Sequence, residues 1–299
     1  MGPGNTLLSW STATFLRLGR VSNLPTVWSN TIAGVVLAGA SLHDWRILAL
    51  LLAMSLAYTG GMFLNDAFDK DIDAVERPER PIPSGIVSAS SVFYSGFAML
   101  GVAVLLIACC AMVSGGGGGW PAIVSALSLA AAIVLYNAWH KNNPLSPFVM
   151  GLCRMLVYVT AGWTLTSEPS SFLYFGAAAL LCYLIGLTYT AKQENLGEVK
   201  NMWPLAFLAI PVIYAIATNS PGLVSWLTIL IFIGWLIYCL RFVLRRQPGD
   251  IPRAVVSMIA GISLVDAMLI AATGSALWIL AALLTFGLTL FLQRYVAGT

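Results

Sequence analysis

Long apolar segments follow one another along almost the whole chain, and most of its charged residues fall between them. Each segment is about as long as a helix that crosses a bilayer. A backbone in hydrocarbon must satisfy its own hydrogen bonds, so these segments predict helices. The ten predicted segments are 26–43, 46–64, 90–113, 120–138, 146–166, 170–190, 202–218, 222–243, 253–273 and 275–293. The last two form either a tight hairpin or one span followed by a surface helix.

Composition supports this pattern. Only 9% of the residues are charged and 59% are hydrophobic, whereas a soluble domain is about 25% charged. We therefore expect an all-α, polytopic integral membrane protein with one domain, residues 1–299, and no sizeable soluble part. The net charge of +3 is small and the basic residues are scattered, so no nucleic-acid partner is expected.

The basic residues also predict an orientation. With a cytoplasmic N-terminus, nearly all arginines and lysines between the segments fall on the cytoplasmic side, and only Arg46 falls on the other. The positive-inside rule favours this topology. It places the charged loops in the cytoplasm, at the inner membrane if the source is bacterial. The first 20 residues lack the pattern of a cleaved signal peptide.

One stretch, NDAFDKDIDAVERPERPIPSG at 65–85, contains six of the twelve acidic residues. If the preceding helix continues, Asp66, Asp69 and Asp73 share one of its faces, with Asn65 beside them. Like charges on one face repel unless a cation neutralises them. Oxygen ligands at this density suit Mg²⁺, which usually shares its site with phosphate oxygens.

Two arginines follow these acids, Arg77 and Arg80. Guanidinium groups match phosphate oxygens in a bidentate geometry. The stretch thus contains both halves of a metal–diphosphate clamp. Departure of a diphosphate from an allylic carbon leaves a carbocation, and metal ions stabilise the charge on the leaving group.

Polar residues also gather at the predicted cytoplasmic ends of the fourth and sixth segments. The stretch YTAKQENLGEVK carries Glu194 and Glu198 one helical turn apart, after Tyr189 and Lys192. These acids are candidates for a second Mg²⁺ site, with Lys192 as a point charge on the leaving oxygens. An ordinary surface pairing of charges four residues apart is the alternative.

The motif N-D-x-x-D-x-x-x-D at 65–73, continued by R-P-x-R-P-I-P-S-G at 77–85, resembles the UbiA superfamily of intramembrane prenyltransferases. The chain is similar to 4-hydroxybenzoate polyprenyltransferases, and its first motif is most similar to those of chlorophyll synthases and geranylgeranylglyceryl phosphate prenyltransferases. The opening LGRVSNLPTVWSN and the patch at 136–141 also match. The second motif departs from the family, which usually has aspartates there.

The resemblance implies nine helices, against the ten counted, around a central cavity open to the cytoplasm. It implies Mg²⁺-dependent transfer of a polyprenyl group from its diphosphate to an aromatic quinone precursor or another lipophilic acceptor. The expected catalytic residues are Asp66, Asp69, Asp73, Lys192 and Glu198. The expected metal ligands are Asp66, Asp69, Asp73, Glu194 and Glu198. The expected substrate-binding residues are Arg20, Asn23, Asn65, Arg77, Arg80, Tyr136, Lys141, Arg154 and Tyr189.

Two charged residues lie inside apolar segments. Arg154 either extends to the membrane surface or points inward to a substrate anion. Asp266 is either functional or hydrogen-bonded to a neighbouring helix. Two other functions stay open as well: a secondary transporter whose carboxylates bind a coupling cation, and an inactive scaffold of the same fold. The sequence contains no feature that identifies the acceptor.

Overall fold

The computed structural model describes residues 10–41, 43–113, 117–141, 143–193, 201–218, 222–296 and 298, and all regular elements in these ranges are helical. The α-helices are α1 Thr12–Leu18, α2 Leu24–Leu37, α3 Arg46–Phe68, α4 Lys70–Glu76, α5 Ala89–Met112, α6 Trp120–Trp139, α7 Ser146–Leu165, α8 Ser171–Lys192, α9 Ile210–Thr218, α10 Leu223–Arg245, α11 Asp250–Ala271 and α12 Ala276–Leu292. Two 3₁₀ helices span Val21–Asn23 and Trp203–Ala209. Each of the ten predicted segments contains a helix.

Seven helices in the described ranges are long and apolar enough to cross a membrane: α3, α5, α6, α7, α8, α10 and α11. The segments around α2, α9 and α12 are helical but shorter. The prediction of an all-α, multi-pass membrane protein is thus confirmed. The number of spans, nine or ten, and the cytoplasmic side of the termini and loops stay predictions.

The first predicted segment, 26–43, was too long, because α2 ends at Leu37. Gly39 has a φ of +78°, which glycine adopts without steric cost. The backbone N–H of Ala40 then donates to the carbonyl of Val35 at 3.1 Å. This hydrogen bond closes the helix with a Schellman motif.

The segment 202–218 was predicted as one helix and is a 3₁₀ helix followed by α9. Pro211 stands at the junction, where it supplies no backbone N–H and so interrupts the hydrogen-bond ladder.

The helices α11 and α12 pack together and are joined by the short turn at 273–275. The last two segments therefore form a hairpin.

Six helices surround a central cavity: α2, α3, α6, α7, α8 and α11. The core packs on both sides of α2, with one cluster toward α8, α10 and α11 and another toward α3, α5 and α6. Along α3, the residues that line the cavity are Met54, Ala57, Tyr58, Gly61 and Met62. These positions follow the helical repeat, so one face of α3 runs along the cavity towards the acidic motif at its C-terminal end.

Candidate active site

The cavity has a volume of about 250 Å³ and a mostly apolar wall. The polar side chains in its lining include Arg20, Asn23, Tyr136 and Asn137. A concave, mostly apolar site with a few polar groups is typical of a ligand pocket. The four predicted residues Arg20, Asn23, Tyr136 and Arg154 all line this cavity.

The acidic motif lies where α3 passes into α4. Asp69 forms the junction, and backbone bonds continue the helical path, from the N–H of Asp69 to Asn65 at 3.0 Å and from the N–H of Asp73 to Asp69 at 2.8 Å. Asp66, Asp69 and Asp73 are 6%, 6% and 3% exposed, far less than residues of a solvated loop. The sequence-based expectation that the three acids follow a helical path is confirmed, with one break at Asp69.

Two arginines bind these acids from different parts of the chain. Arg20 Nη2 lies 3.1 Å from Asp66 Oδ1 and donates at the same distance to Asn65 Oδ1. Arg80 Nη1 lies 2.6 Å from Asp73 Oδ2 and 3.3 Å from Asp66 Oδ1. Asp66 therefore lies between two guanidinium groups. Arg77 makes no ion pair within the described ranges.

The loop that carries Arg80 folds back onto the bundle. Ile82 and Val87 pack into a small apolar cluster with Leu18 and Phe63, and the Ser84 hydroxyl donates to the carbonyl of Arg80 at 2.7 Å. Ile82 and Val87 thus anchor the loop that holds Arg80 over the acids. Its position does not depend on the ion pairs alone.

Polar residues at the end of α6 also contact the acidic motif. Asn137 accepts from Asn65 at 3.3 Å and donates to the carbonyl of Gly61 at 2.9 Å, which fixes Asn65 relative to α6. His140 Nε2 lies 3.4 Å from Asp69 Oδ2, and Lys141 Nζ lies 4.0 Å from the same oxygen. The acidic motif is therefore enclosed by donors from three elements.

Next to α6, Tyr136 lines the cavity and stacks on the His140 ring with centroids 5.0 Å apart. Lys141 is more open to solvent than the acid it faces, with 41% of its side chain exposed. Tyr136 and Lys141 were expected from the sequence to bind substrate, whereas His140 was given no role. Its contact with Asp69 depends on how α6 packs against α3.

Asn23 lies at the start of α2, near the C-terminal end of the chain. Its Nδ2 donates to the carbonyl of Gly298 at 2.7 Å, and its Oδ1 accepts from Gln293 at 3.0 Å. Tyr58, which sequence analysis did not select, donates to the carbonyl of Arg20 at 3.2 Å. Asn23 and Tyr58 therefore help to define one wall of the cavity.

The second predicted motif is only partly described. Glu194 and Glu198 lie outside the described residues. Lys192 donates to the carbonyl of Asn143 at 2.6 Å and to Ser146 Oγ at 2.8 Å, so it joins α8 to the start of α7. Tyr189 donates to the carbonyl of Asn201 and is not part of the cavity wall. The structure does not bring Lys192 or Tyr189 to the first acidic motif.

A second polar network lies deeper in the bundle. Arg154 of α7 donates to Asn30 Oδ1 at 2.8 Å and to Thr26 Oγ1 at 3.1 Å, so it points inward rather than along the membrane surface. Asn30 in turn donates to both carboxylate oxygens of Asp266 at 2.9 Å. The Tyr158 hydroxyl also donates to Asp266. Isolated polar residues in apolar segments were the only sequence signal for this network.

The donor set of the acidic motif fits Mg²⁺. Asn65, Asp66, Asp69 and Asp73 offer only oxygen ligands, the class that Mg²⁺ prefers. In the described part of the chain, no three His, Cys, Asp or Glu side chains converge on one point as a complete metal cage. Mg²⁺ does not need such a cage, because it commonly uses one or two carboxylates together with water and phosphate oxygens.

Comparison with known proteins agrees with this architecture. The model of the UbiA prenyltransferase family matches residues 27–258. A digeranylgeranylglyceryl phosphate synthase of Natronomonas pharaonis is 32% identical over 194 residues, which cover 62% of this chain and 62% of that protein. The match thus spans about three fifths of that relative's length.

Solved structures share the fold. A UbiA homologue from Aeropyrum pernix K1 has a TM-score of 0.62 at 14% identity, covering 81% of this chain and 96% of that one. A UbiA homologue from Archaeoglobus fulgidus bound to GPP and Mg²⁺ has a TM-score of 0.59 at 14% identity, covering 89% and 99%. The family model covers more than half of the sequence, and the chain belongs to the UbiA prenyltransferase family.

Proposed function

We propose that this protein transfers an isoprenyl group, within the membrane, from an isoprenyl diphosphate to a lipophilic acceptor. The observation that carries the proposal is the position of Asp66. This buried carboxylate lies between Arg20 and Arg80, and Arg20 also lines the mostly apolar cavity. A diphosphate needs cations and an isoprenyl chain needs an apolar wall, and the two lie side by side here.

The basic and the acidic residues of the site have different roles. Arg20 and Arg80 carry the positive charge that binds diphosphate oxygens, and Arg guanidinium matches such oxygens well. Asp66, Asp69 and Asp73, with Asn65, would hold Mg²⁺, which neutralises the charge that develops on the leaving diphosphate. Lys141 adds a cation near Asp69.

The apolar wall protects the reacting carbon from water. Apolar side chains such as Met54, Leu129 and Val157 line the cavity. They would bury the isoprenyl chain and exclude the water that quenches an allylic cation. The homologue from A. fulgidus with bound GPP and Mg²⁺ supports this class of donor. An aromatic or another lipophilic acceptor agrees with the same wall.

The remaining expectations become proposals as well. A second Mg²⁺ site at Glu194 and Glu198 remains part of this proposal. We also propose that the acidic motif and the N-terminus face the cytoplasm, and that residues 1–299 form one domain. A cation-coupled transporter is the rival function, but Asp66 and its neighbours lie at helix ends, whereas transporters usually bind their ions near the bilayer midplane. An inactive scaffold is the third possibility.

The test is Mg²⁺-dependent release of diphosphate by purified protein from geranylgeranyl diphosphate in the presence of a panel of acceptors. We expect Asp66→Asn and Asp73→Asn to abolish release. Asp71→Asn is the matched control, because Asp71 lies on α4 of the same motif but is exposed. Ion-gradient-driven uptake into liposomes without any release would favour the transporter, and neither activity would favour the scaffold.

A further inference from the structure

Three arginines surround one buried aromatic ring where α10 ends and α11 begins. The guanidinium carbon of Arg241 lies 4.7 Å from the centre of the Phe242 ring. Those of Arg245 and Arg253 lie 5.4 and 5.3 Å from the same centre. The arginines are exposed, whereas Phe242 is buried. A ring face attracts a cation but carries no net charge, so it holds the three guanidinium groups close together without cancelling their charge.

Residues 241–253 contain one carboxylate, Asp250, and Arg245 occupies it. Arg245 Nη2 lies 2.6 Å from Asp250 Oδ1, and Arg245 Nε donates to Oδ2 at 2.8 Å. This bidentate pair joins the end of α10 to the start of α11. Arg241 and Arg253 make no ion pair with the part of the chain that the structure describes.

Arg253 lies where a helix favours negative charge. It stands in the first turn of α11, and the unpaired N–H groups there give the helix end a partial positive charge. Cations stabilise the opposite end of a helix, as Arg245 does in the last turn of α10. Arg246, directly after α10, adds a further exposed guanidinium. The connection between the two helices thus has a marked excess of positive charge.

Arg241 lies on the side of α10 that faces lipid. Ile237 and Leu244, four residues before it and three after it, are 64% and 62% exposed, and residues three or four apart share a helix face. The helix is long and apolar enough to cross a membrane. An arginine between exposed apolar side chains near the end of such a helix extends its guanidinium to the headgroup region. Phospholipid phosphates lie at this level.

We propose that Arg241 and Arg253, together with the exposed side of Arg245, bind the headgroup phosphate of an anionic membrane phospholipid. Guanidinium groups match phosphate oxygens in a bidentate geometry. Basic pockets between transmembrane helices bind the headgroups of anionic lipids. An acyl chain of the same lipid would lie along Ile237 and Leu244.

The charge of the site selects the class of lipid. A headgroup with a net negative charge matches the excess of guanidinium groups, whereas the ammonium group of a zwitterionic lipid would meet like charges. None of these arginines is among the described residues that line the central cavity. The inference therefore does not depend on the proposed function.

The test compares the binding of phosphatidylglycerol and phosphatidylcholine with the same acyl chains to purified protein in detergent, by native mass spectrometry. We expect the wild type to bind the first phosphatidylglycerol about ten-fold more tightly than phosphatidylcholine. The double variant Arg241→Gln/Arg253→Gln should reduce this preference to less than about two-fold, and each single variant should lose part of it. Equal affinity of the wild type for the two lipids would overturn the proposal.

A second double variant separates a defined site from the general attraction between a basic protein and an anionic lipid. Arg17→Gln/Arg294→Gln removes the same charge from exposed positions in α1 and after α12. Neither arginine lies against an aromatic ring in the described ranges. This variant should keep the preference of the wild type. An equal loss in both double variants would show that net charge alone attracts the lipid, and would reject the site.

Thermal unfolding checks that the loss is not a loss of folding. Arg241→Gln/Arg253→Gln should unfold at the wild-type temperature in phosphatidylcholine, because both side chains are exposed and outside the ion pair with Asp250. Phosphatidylglycerol should raise the unfolding temperature of the wild type more than that of the variant, since a ligand stabilises the state that binds it. The same rise in both proteins would contradict the proposal.

Water-soluble anions distinguish a lipid site from a phosphate site. Glycerol 1-phosphate has the headgroup phosphate but no acyl chain to lie along Ile237 and Leu244. At millimolar concentration it should therefore displace little of the bound phosphatidylglycerol, and inorganic phosphate should displace no more. Displacement of the lipid by either anion would assign the arginines to a soluble ligand and overturn the proposal.

Discussion

Arg20 donates to the carboxylate of Asp66 at 3.1 Å from a backbone that is in the left-handed conformation, with a φ of +42°. A non-glycine residue pays about 1 kcal/mol or more for this conformation. The 3₁₀ helix that follows Arg20 and the hydrogen bond from Tyr58 to its carbonyl hold the backbone there. The fold thus keeps a strained backbone at the residue that reaches Asn65 and Asp66.

This strain predicts a difference between two substitutions of Arg20. Arg20→Gly and Arg20→Ala both remove the guanidinium, so both should weaken donor binding to a similar extent. Glycine adopts a positive φ without the steric cost, so Arg20→Gly should be about 1 kcal/mol more stable than Arg20→Ala. Thermal unfolding in detergent checks the order. Equal stability would mean that the left-handed conformation is not costly here.

Loss of Arg80 should weaken donor binding more than loss of Arg77. Arg80 joins Asp66 to Asp73, so Arg80→Gln leaves two neighbouring carboxylates to repel each other and removes a cation from the diphosphate site. We expect the KM for the donor to rise about ten- to hundred-fold. Arg77→Gln is the control, with an expected change of less than about three-fold. A larger effect of Arg77→Gln would contradict this order and would agree with the sequence-based expectation that both arginines bind substrate.

The width of the cavity should limit the length of the donor. Ala57 lines the cavity and is only 5% exposed, so the ring in Ala57→Phe must enter the space for the isoprenyl chain. We expect kcat/KM for geranylgeranyl diphosphate to fall at least about ten-fold relative to that for dimethylallyl diphosphate, since excluded methylene groups lose their apolar contacts. Ala98→Phe, at an exposed position of α5, should leave the ratio unchanged.

Most of the helical architecture was predictable, because apolar segments of membrane length have few alternatives to a helix. The errors have local causes, such as the positive φ of Gly39 and the missing N–H of Pro211. These features change where a helix ends but leave the apolar content of the segment as it was. Hydropathy alone therefore located the segments better than their boundaries.

The sequence also predicted some parts of the site better than others. Asp66, Asp73 and Arg80 are close in the sequence, so their spacing on a helix and its loop revealed a shared cluster. Asn30 and Asp266 are 236 residues apart, and each resembles an isolated polar residue in an apolar helix. Their contact depends on how α2 packs against α11. The spacing of residues in one segment contains no information about that contact.

A pH-dependent contribution to stability is expected at Asp44, in the loop before α3. Hydrogen bonds from Arg46 lower the pKa of this carboxyl below its ordinary value of 3.8. A lowered pKa means that the pair stabilises the fold above about pH 4 and that this stability is lost as the pH falls through the lowered pKa. Asp44→Asn should therefore cost roughly 1 kcal/mol at pH 7, a modest amount because Asp44 is partly exposed.

Thermal unfolding of the wild type and Asp44→Asn at several pH values checks this expectation. The difference between the two proteins should be largest at neutral pH and should shrink under more acidic conditions. Glu168→Gln, at an exposed acid in the loop after α7, should differ little from the wild type at any pH. A difference that grows as the pH falls would contradict the assigned direction.

The close contact between α2 and α7 should make Gly34 intolerant of a side chain. A Cβ atom at Gly34 would lie 2.7 Å from the carbonyl oxygen of Tyr158, a backbone atom that cannot move alone. Alanine is intrinsically better than glycine in a helix by about 1 kcal/mol, but overpacking costs about 1–3 kcal/mol. Gly34→Ala should therefore destabilise the protein, and the separation of α2 and α7 should weaken the contact of Asn30 with Arg154.

Thermal unfolding of Gly34→Ala beside a control variant distinguishes the clash from helix propensity. Gly101→Ala, in α5 with no atom within 4 Å of the new Cβ, should keep or raise the unfolding temperature, because only the propensity term applies. Gly34→Ala should lower it. An unfolding temperature as high as that of Gly101→Ala would show that the two helices separate without cost.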